Sequence, residues 1–188
     1  MEYIKPPIVL AVIVALISAL IIVTYNFTYV DTSNILTDKQ AAAVTQIYGG
    51  AAEDYSVVPQ EIWQDKLGED FSRITKVIKK SDGSLAFEAV VKGYKDGYDI
   101  LVGVKDGAVA GVAVVSTGEE TPGLGTMTND PAFLGNFKGI SGEAVIVKRE
   151  PSADNEVQAV TSATFSSKGV ASAVNLALKA YEKCGGEL

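Results

Sequence analysis

The sequence predicts an α+β protein in which a single N-terminal transmembrane helix precedes a mainly antiparallel sheet packed with helices. Three observations support this fold class. An apolar run occupies residues 8–23, β-branched segments joined by turn residues fill residues 74–116, and a helical apolar pattern runs through residues 166–183. Such a succession of strands and helices is typical of α+β domains. The chain has 188 residues, enough for one domain with a buried core and an anchor.

The N-terminal apolar run is the candidate membrane anchor. Within residues 8–23 the only polar side chain is Ser18. A helix of that length rises about 24 Å, which falls short of the roughly 30 Å hydrocarbon core of a bilayer. Continuing the helix through residue 29 completes the span and brings Tyr25, Phe27 and Tyr29 to the level of an aromatic belt. We therefore expect residues 1–30 to form a cytoplasmic tip and an uncleaved transmembrane anchor.

The residues that flank the anchor indicate its processing and its orientation. A cleaved signal peptide is the competing interpretation, but Glu2 offsets the single charge of Lys5, and no A-x-A-like site follows the apolar run. Lys5 precedes the helix, whereas the first basic residue after it is Lys39. Positive residues favour the cytoplasmic side of a membrane. We therefore expect a single-pass protein of the cell membrane with its folded domain on the extracytoplasmic side.

Two short helices are predicted between the anchor and the sheet. Thr37-Asp38-Lys39-Gln40 has the spacing of a capping box, apolar side chains follow at helical spacing, and Gly49-Gly50 ends this helix. Residues 60–70 show a weaker helical pattern that is centred on Trp63. We interpret residues 31–72 as a helical connecting region and not as a second domain.

The strands and the last helix of the predicted domain lie in residues 73–188. Asp106-Gly107 is the strongest hairpin signal in the chain, and Ser81-Asp82-Gly83-Ser84 marks a second turn. The predicted strands are residues 74–80, 85–94, 98–105, 108–116 and 144–149. The final helix, residues 166–183, carries an apolar stripe formed by Val170, Val174, Leu178 and Tyr181. This stripe must be buried, and the sheet is the surface available to it.

The composition excludes several classes of function. The formal net charge is −7, with 16 Lys and Arg against 23 Asp and Glu, so the basic footprint of a nucleic-acid-binding protein is missing. The chain contains no His, which removes the commonest general base, zinc ligand and haem ligand. Its one Cys, Cys184, cannot form an internal disulfide or hold an iron–sulfur cluster. An electron-transfer role would therefore require a bound organic cofactor.

A cluster of hydroxyl side chains directly precedes the last predicted helix. Five Ser and Thr residues fall within residues 161–167. Such residues cap helices, because their oxygens accept from the unpaired N–H groups of the first turn. The same N–H groups and the helix dipole attract anions, so free amides near Ser166, Ser167 and Lys168 would suit a phosphate. Taken alone, the cluster is compatible with a simple cap and with a phosphate site.

A second motif lies upstream and gives the cluster a more specific meaning. Glu120-Thr121-Pro122-Gly123-Leu124-Gly125, here the ETPGLG loop, is a turn-rich segment that Pro122 stiffens and whose glycines permit close approach of a flat ring. Together with Thr161-Ser162-Ala163-Thr164, here the TSAT segment, it resembles the FMN-binding domain of the Rnf and Na+-translocating NADH:quinone reductase complexes. The family's E-T-P-G-L-G sequence is matched letter for letter. The resemblance covers roughly residues 85–188, and the chain length is similar to that of the Rnf G subunit.

The resemblance implies where the cofactor is held. In that family an S-G-A-T segment carries FMN as a phosphoester on its last Thr, which corresponds to Thr164 here. The chain departs from the family pattern at Ser162, where the family has Gly, and at Gln158, where it has Asp. The implied cofactor is one covalent FMN, with no metal. The implied cofactor-binding residues are Glu120, Thr121, Pro122, Gly123, Leu124, Gly125, Thr161, Ser162, Ala163, Thr164, Ser166 and Ser167.

The resemblance also implies a function. It describes a membrane-anchored flavoprotein subunit that relays electrons within an Rnf-type ferredoxin:NAD oxidoreductase coupled to Na+ or H+ translocation, without an independent active site. The implied partners are the other membrane and peripheral subunits of that complex, a flavin transferase during maturation, and the lipid bilayer. Two alternatives stay open at this point. One is an anchored FMN domain of another extracytoplasmic reductase, and the other is a non-catalytic anchored binding module.

Overall fold

The computed structural model describes residues 5–28, 34–186 and 188, and the chain divides into two compact units, residues 1–32 and 33–188. The first unit contains helix α1 (Lys5–Thr28). Its stretch Ile8–Thr28 has a mean hydropathy of 3.0 and is long and apolar enough to cross a membrane. The predicted continuation of this helix to Tyr29 lies outside the described residues.

Two Thr side chains near the end of α1 are compatible with an apolar environment. The hydroxyl of Thr24 donates to the carbonyl of Leu20 at 2.8 Å, and that of Thr28 donates to the carbonyl of Thr24 at 2.7 Å. Both hydroxyls therefore satisfy their donor capacity inside the helix, as a bilayer without water would require.

The second unit is an α+β domain, as predicted. Its elements in chain order are α2 (Asp38–Tyr48), β1 (Tyr55–Val58), α3 (Gln60–Leu67), β2 (Ile74–Lys80), β3 (Leu85–Val91), β4 (Tyr98–Lys105), β5 (Ala108–Ser116), α4 (Pro131–Gly135), β6 (Val145–Val147), β7 (Glu156–Gln158) and α5 (Thr164–Lys183). Strands β1 to β5 form one antiparallel sheet in sequence order. A separate parallel pair, β6 and β7, lies outside this meander.

Local sequence signals account for several boundaries. The predicted capping box of α2 is confirmed, because the Gln40 side chain accepts from the Thr37 amide and the Thr37 hydroxyl accepts from the Gln40 amide. Asp106 and Gly107 have φ of 52° and 77°, the left-handed pair that a tight hairpin needs, and β4 and β5 match their predicted limits.

Other boundaries differ from the prediction. β3 ends at Val91, three residues before the predicted limit, because the Gly93 amide donates to Lys95 O within a turn instead of pairing with β4. The strands β1 and β7 were not predicted, and each has four residues or fewer. Segments this short contain too few alternating apolar and polar residues to be recognised as strands from the sequence. They are strands because they pair with β2 and β6.

Helices cover both faces of the meander, and the alternation within β3 shows how. Phe87 points toward the larger core, which includes Val170 and Val174 of α5. Ala86 points to the opposite face, where α2 packs through Ala43 and Val44. The predicted burial of the α5 stripe is confirmed at Val170 and Val174. The first turns of α5 lie against the β3–β4 loop, where Gly169 packs on Gly93, and against the chain after β5, where Ser166 bonds to Glu120.

A buried acid pair lies on the α2 face of the sheet. Glu88 is 3 % exposed, and both of its carboxylate oxygens accept from Gln40 Nε2, at 2.9 and 2.8 Å. Asp99 lies beside it on β4, and among the described residues no donor reaches its buried Oδ1. Burial and the neighbouring Glu88 carboxylate raise the pKa of Asp99 to about 7, against the opposing charge of Lys76. A proton held between the two carboxyl groups would satisfy the orphaned oxygen.

This acid pair predicts a specific dependence of stability on pH. The ordinary pKa of Asp99 is 3.8, so between about pH 4 and pH 7 the folded chain holds a proton that the unfolded chain lacks. The free energy of unfolding should therefore fall as pH rises through this window. With partial solvent screening of Asp99 allowed for, this loss of stability is on the order of 1–2 kcal/mol. We expect it to be absent in the Asp99→Asn variant. Denaturant unfolding at pH 5 and pH 8 measures it.

The matched control is Asp96→Asn, which changes an exposed Asp of the same β3–β4 region. It should leave the difference between the two pH values as in the wild type. Equal pH dependence in the Asp99→Asn variant and the wild type would contradict the shared proton.

Candidate functional site

The ETPGLG loop follows β5 and is held in shape by its own backbone. The Leu124 amide donates to Thr121 O at 3.1 Å, and the Gly123 amide donates to the Thr126 hydroxyl at 2.9 Å. Gly123 has a φ of +74°, a backbone conformation that residues with a side chain rarely adopt. The loop then enters a 3-10 turn, Gly125–Asn129. The glycine at position 123 therefore serves the turn itself.

A buried hydroxyl chain fastens this 3-10 turn to the sheet. The Thr128 hydroxyl donates to Gly125 O at 2.6 Å, so the Tyr98 hydroxyl, 2.6 Å from Thr128 Oγ1, must donate to Thr128. Tyr98 and Thr128 are fully buried, and burial raises the pKa of Tyr98. The end of the ETPGLG loop is thus fixed on β4.

The TSAT segment forms the turn that leads into α5. The Ser167 hydroxyl accepts from the Val160 amide at 3.0 Å and donates to Ala163 O at 2.9 Å. The helix begins at Thr164, two residues before the predicted start, and its N-cap is Ala163, which offers no side-chain oxygen. The hydroxyl cluster therefore does not cap α5 in the predicted way, because its buried Ser167 braces the turn from inside the helix.

The free amides at this helix end are also shifted from the prediction. The Ser167 amide donates to Ala163 O at 2.9 Å as part of the helix. Among the described residues, no backbone acceptor is paired with the amides of Thr164, Phe165 and Ser166, as expected for the first three positions of a helix. Anion binding would therefore use these three amides and not those of Ser167 and Lys168.

Position 162, where the family that the chain resembles has Gly, has an unusual backbone conformation here. Ser162 has a φ of +65°, in the left-handed region. For a residue other than Gly this conformation costs about 1–2 kcal/mol, whereas a new Gly adds about 0.4–1 kcal/mol of freedom to the unfolded chain. We expect Ser162→Gly to raise the free energy of unfolding by about 0.5–1 kcal/mol, measured by denaturant titration.

The same substitution within α5 supplies the control. Ser172→Gly, at an exposed position of the helix, should lower stability by about 0.5–1 kcal/mol. A loss of stability in both variants would mean that Ser162 is not strained.

The carboxylate of Glu120 joins the ETPGLG loop to the first turn of α5, directly after the TSAT segment, and to the β3–β4 loop. Glu120 is 4 % exposed, and it accepts from the Ser166 hydroxyl at 2.6 Å and from the Lys95 amide at 3.0 Å. Cβ atoms added at Gly125 and Gly93 would lie 1.9 and 2.3 Å from its two oxygens. The glycines leave the space that the carboxylate fills. Glu120 thus braces three segments, whereas the resemblance implies for it only a contact with the cofactor.

The two motifs meet at one cavity of about 280 Å³. Its lining contains seven of the residues that the resemblance implies and two aromatic residues. The full lining is Tyr94, Glu120, Thr121, Leu124, Gly125, Ser162, Ala163, Phe165 and Ser166. Five other implied residues do not line it: Thr161, Thr164, Ser167, Pro122 and Gly123. Of these, Thr164 is half-buried beside the cavity at the first position of α5.

Tyr94 and Phe165 are the cavity residues that were not predicted from the sequence. Their side chains are 61 % and 66 % exposed. Tyr94 falls in a predicted strand, where an aromatic residue needs no further explanation, and Phe165 has no predicted role. Two features of the sequence could have identified them. Phe165 directly follows the TSAT segment, and Tyr94 stands in a stretch rich in Gly, Lys and Asp.

Three larger grooves on the described part of the chain contain neither motif. One of about 740 Å³ runs along α5 and is lined by Arg73, Lys168 and Lys179 among others. Within the described residues, no cluster of three or more His, Cys, Asp or Glu side chains could hold a metal ion. Cys184 is buried, and burial raises the pKa of its thiol, so it is a poor nucleophile.

Comparisons with known proteins find similarity over the part of the chain that contains both motifs. The FMN-binding domain model matches residues 93–179. The chain is 34 % identical over 149 residues to the G subunit of the proton-translocating ferredoxin:NAD+ oxidoreductase complex of Clostridium ljungdahlii, covering 73 % of this chain and 80 % of that protein. It is 29 % identical over 162 residues to the G subunit of the Na+-translocating ferredoxin:NAD+ oxidoreductase complex of Acetobacterium woodii, covering 81 % and 75 %.

Two solved structures are also similar. Shewanella oneidensis NqrC gives a TM-score of 0.44 at 23 % identity and covers 63 % of this chain and 62 % of that chain. The C subunit of the Na+-translocating NADH-quinone reductase of Parabacteroides distasonis gives a TM-score of 0.42 at 26 % identity and covers 57 % and 60 %. This chain spans about three fifths of each of these solved chains.

Proposed function

Because the chain belongs to the G-subunit family of Rnf-type ferredoxin:NAD+ oxidoreductase complexes, we propose that it carries one covalent FMN on Thr164 and relays electrons within such a complex. The relatives are named as subunits of complexes that translocate protons in one organism and Na+ in the other. The proposal therefore includes coupling to Na+ or H+ translocation by the assembled complex, in which this chain supplies an electron-transfer site.

One observation carries the proposal: the ETPGLG loop and the TSAT segment, far apart in sequence, line the same cavity at the start of α5. The residues present fit FMN. The amides of Thr164, Phe165 and Ser166 suit a phosphate, and the exposed Lys168 adds a positive charge one turn along the helix. The half-buried Thr164 lies where the phosphate would be, so its hydroxyl can supply the ester oxygen.

Covalent attachment has an energetic reason at this position. A helix end stabilises an exposed anion by only about 0.3–1 kcal/mol, and the cavity is small for a ligand of this size. Without a covalent bond, the cofactor would exchange with solvent. The ester on Thr164 would retain it while leaving part of it accessible to other proteins.

The chain's own residues would position the cofactor and not react themselves. Bound FMN supplies the one-electron chemistry that the side chains of this His-free chain cannot provide. Ser166 and the Lys95 amide hold Glu120, which fixes the loop against α5, while Leu124 gives the cavity an apolar side chain. These contacts set where the ring lies and thereby its exposure to solvent.

We further propose that α1 anchors the protein in the cell membrane, with residues 31–72 connecting it to the FMN-binding domain of residues 73–188 on the extracytoplasmic side. Lys5 at the start of α1 and the acidic and polar residues after the helix support this orientation. A membrane-impermeant label should reach Lys39 in intact spheroplasts. Labelling only after lysis would reverse the orientation.

The partners follow from this arrangement. They are the bilayer around α1, the membrane and peripheral subunits that exchange electrons with the flavin, and a flavin transferase that forms the ester during maturation. The acidic net charge of −7 gives no support for nucleic acid as a partner.

The experiment that tests the proposed function is the intact mass of the purified chain. We expect one added FMN, less one water, and a denatured band that stays fluorescent on a gel. Flavin that is released completely by denaturation would leave binding but exclude the ester. No flavin in any preparation made with the transferase present would favour a non-catalytic anchored module.

A further inference from the structure

Tyr94 and Phe165 form an exposed aromatic pair at the rim of the cavity. Their ring centroids are 6.5 Å apart and their planes are inclined by 57°. Tyr94 lies in the β3–β4 loop, and Phe165 is the second residue of α5, directly after Thr164. Large aromatic side chains this exposed lose the stabilisation that burial would give them, which makes their convergence at one site informative.

The backbone that carries the two rings is firmly held. Gly169 of α5 packs so closely on the β3–β4 loop that a Cβ there would lie 3.0 Å from Gly93 Cα and from Lys92 O. The Lys95 amide is bonded to the buried carboxylate of Glu120. Tyr94 lies between these two anchor points. Its position relative to the start of α5 is therefore fixed by packing on both sides.

The cavity is too small to enclose FMN. Pockets that bury most of a ligand of comparable size hold about 300–1,000 Å³, and this one holds about 280 Å³. With the phosphate tied to Thr164, part of the cofactor must lie on the rim. The apolar part of that rim consists of Tyr94, Phe165 and Leu124, the last of which is 46 % exposed.

We propose that Tyr94 and Phe165 are positioning residues that bind the isoalloxazine ring of the flavin, an inference that rests on the proposed function. Their inclined planes form an open wedge and not a parallel sandwich. A flat ring that lies against this wedge can meet one aromatic side chain face-on and the other edge-on, the two arrangements that aromatic pairs favour. The ring is held on two sides and stays exposed on its remaining edge, where a partner protein can exchange electrons with it.

The test uses the flavin-loaded full chain and compares Tyr94→Leu and Phe165→Leu with the wild type. Both side chains are exposed, so the variants should fold and keep the added mass on Thr164. Removing either ring should lower the ratio of docked to undocked flavin about 2- to 10-fold. Flavin fluorescence should rise and its anisotropy should fall, because a phenol in contact with a flavin quenches its emission by electron transfer and a docked ring rotates with the protein.

Two further variants sharpen the test. Tyr94→Phe keeps the ring and removes the phenol, so it should preserve the anisotropy. Tyr181→Leu makes the same substitution at the other end of α5, on a half-buried Tyr far along the chain from the TSAT segment, and should leave both signals unchanged.

The outcomes separate the two proposals. Loaded Tyr94→Leu and Phe165→Leu proteins with wild-type fluorescence and anisotropy would overturn the aromatic wedge and leave the proposed function intact. A wild-type chain without any flavin would overturn the proposed function, and the wedge with it. Changes of equal size in Tyr181→Leu would show that the signals report general loosening of the domain, which would also overturn the wedge.

Discussion

Thr164→Ala is expected to abolish covalent flavin completely. Thr164 is the first residue of α5, its side chain is half-buried, and its own amide and those of Phe165 and Ser166 have no backbone partner among the described residues. Alanine keeps the helix and these amides but removes the only oxygen that can form the ester at this position. Intact mass should show the unmodified chain, and the denatured band should lose its fluorescence. Affinity for added FMN should be weak, since a helix end alone contributes about 0.3–1 kcal/mol to anion binding.

The matched control for this experiment is Thr161→Ala. Thr161 belongs to the same hydroxyl cluster, but it is exposed, does not line the cavity and lies before the helix. Its removal should leave the added mass in place. Loss of attachment in Thr161→Ala with retention in Thr164→Ala would show that the register of the TSAT segment is misassigned.

Gly125→Ala is expected to cause the largest loss of stability among single methyl additions in the ETPGLG loop. The new Cβ would lie 1.9 Å from Glu120 Oε2 and 2.9 Å from Ser166 Oγ. The carboxylate is at the end of a flexible side chain, but it can move only by giving up its bonds to Ser166 and Lys95. Overpacking costs about 1–3 kcal/mol and an unpaired buried group a similar amount. We expect a loss of about 2–4 kcal/mol, measured by denaturant unfolding.

Gly123→Ala is the control, because the two glycines are required for different reasons. A Cβ at Gly123 meets nothing within 4 Å, and the cost is only the strain of a φ of +74°, about 1 kcal/mol. The double variant Gly125→Ala with Glu120→Ala should recover part of the loss, since the clashing carboxylate is gone. A fully additive double variant, or equal losses at the two glycines, would contradict the brace.

This prediction replaces an expectation that the sequence alone suggests. From the sequence, Gly125 is a position that permits close approach of a flavin ring. In the structure, the space next to Gly125 is occupied by the chain's own buried carboxylate. The spectral effect of a substitution at Gly125 would therefore follow from displacement of the loop.

The acid pair on the α2 face shows the same distinction. Glu88 and Asp99 stand in strands whose limits were predicted or nearly so, and alternation correctly indicates two opposite faces. Nothing in their local sequence indicates that they lie together, because the register that pairs Val90 with Asp99 is a property of the sheet. The raised pKa of Asp99 follows from that register and from the helix that covers it.

The sequence by itself determined those structural features that depend on residues close together along the chain. The Asp106-Gly107 turn, the capping box at Thr37 and Gln40, and the apolar helix α1 are each set by a few consecutive residues whose backbone or burial preferences are strong. The family also follows from the sequence, because the ETPGLG loop is matched letter for letter and the TSAT segment keeps the Ala and the last Thr of the family's S-G-A-T.

The tertiary structure alone decided how distant residues meet. It turned Tyr55–Val58 into an edge strand, buried Glu120 between Gly93 and Gly125, and exposed Tyr94 beside Phe165 at the cavity rim. Each of these depends on contacts between segments that are far apart in sequence. The local sequence around a polar loop residue does not indicate whether its side chain braces the loop or contacts a ligand. The local sequence around an aromatic residue does not indicate whether its ring is buried or exposed. Packing of α5 against the β3–β4 loop makes that distinction.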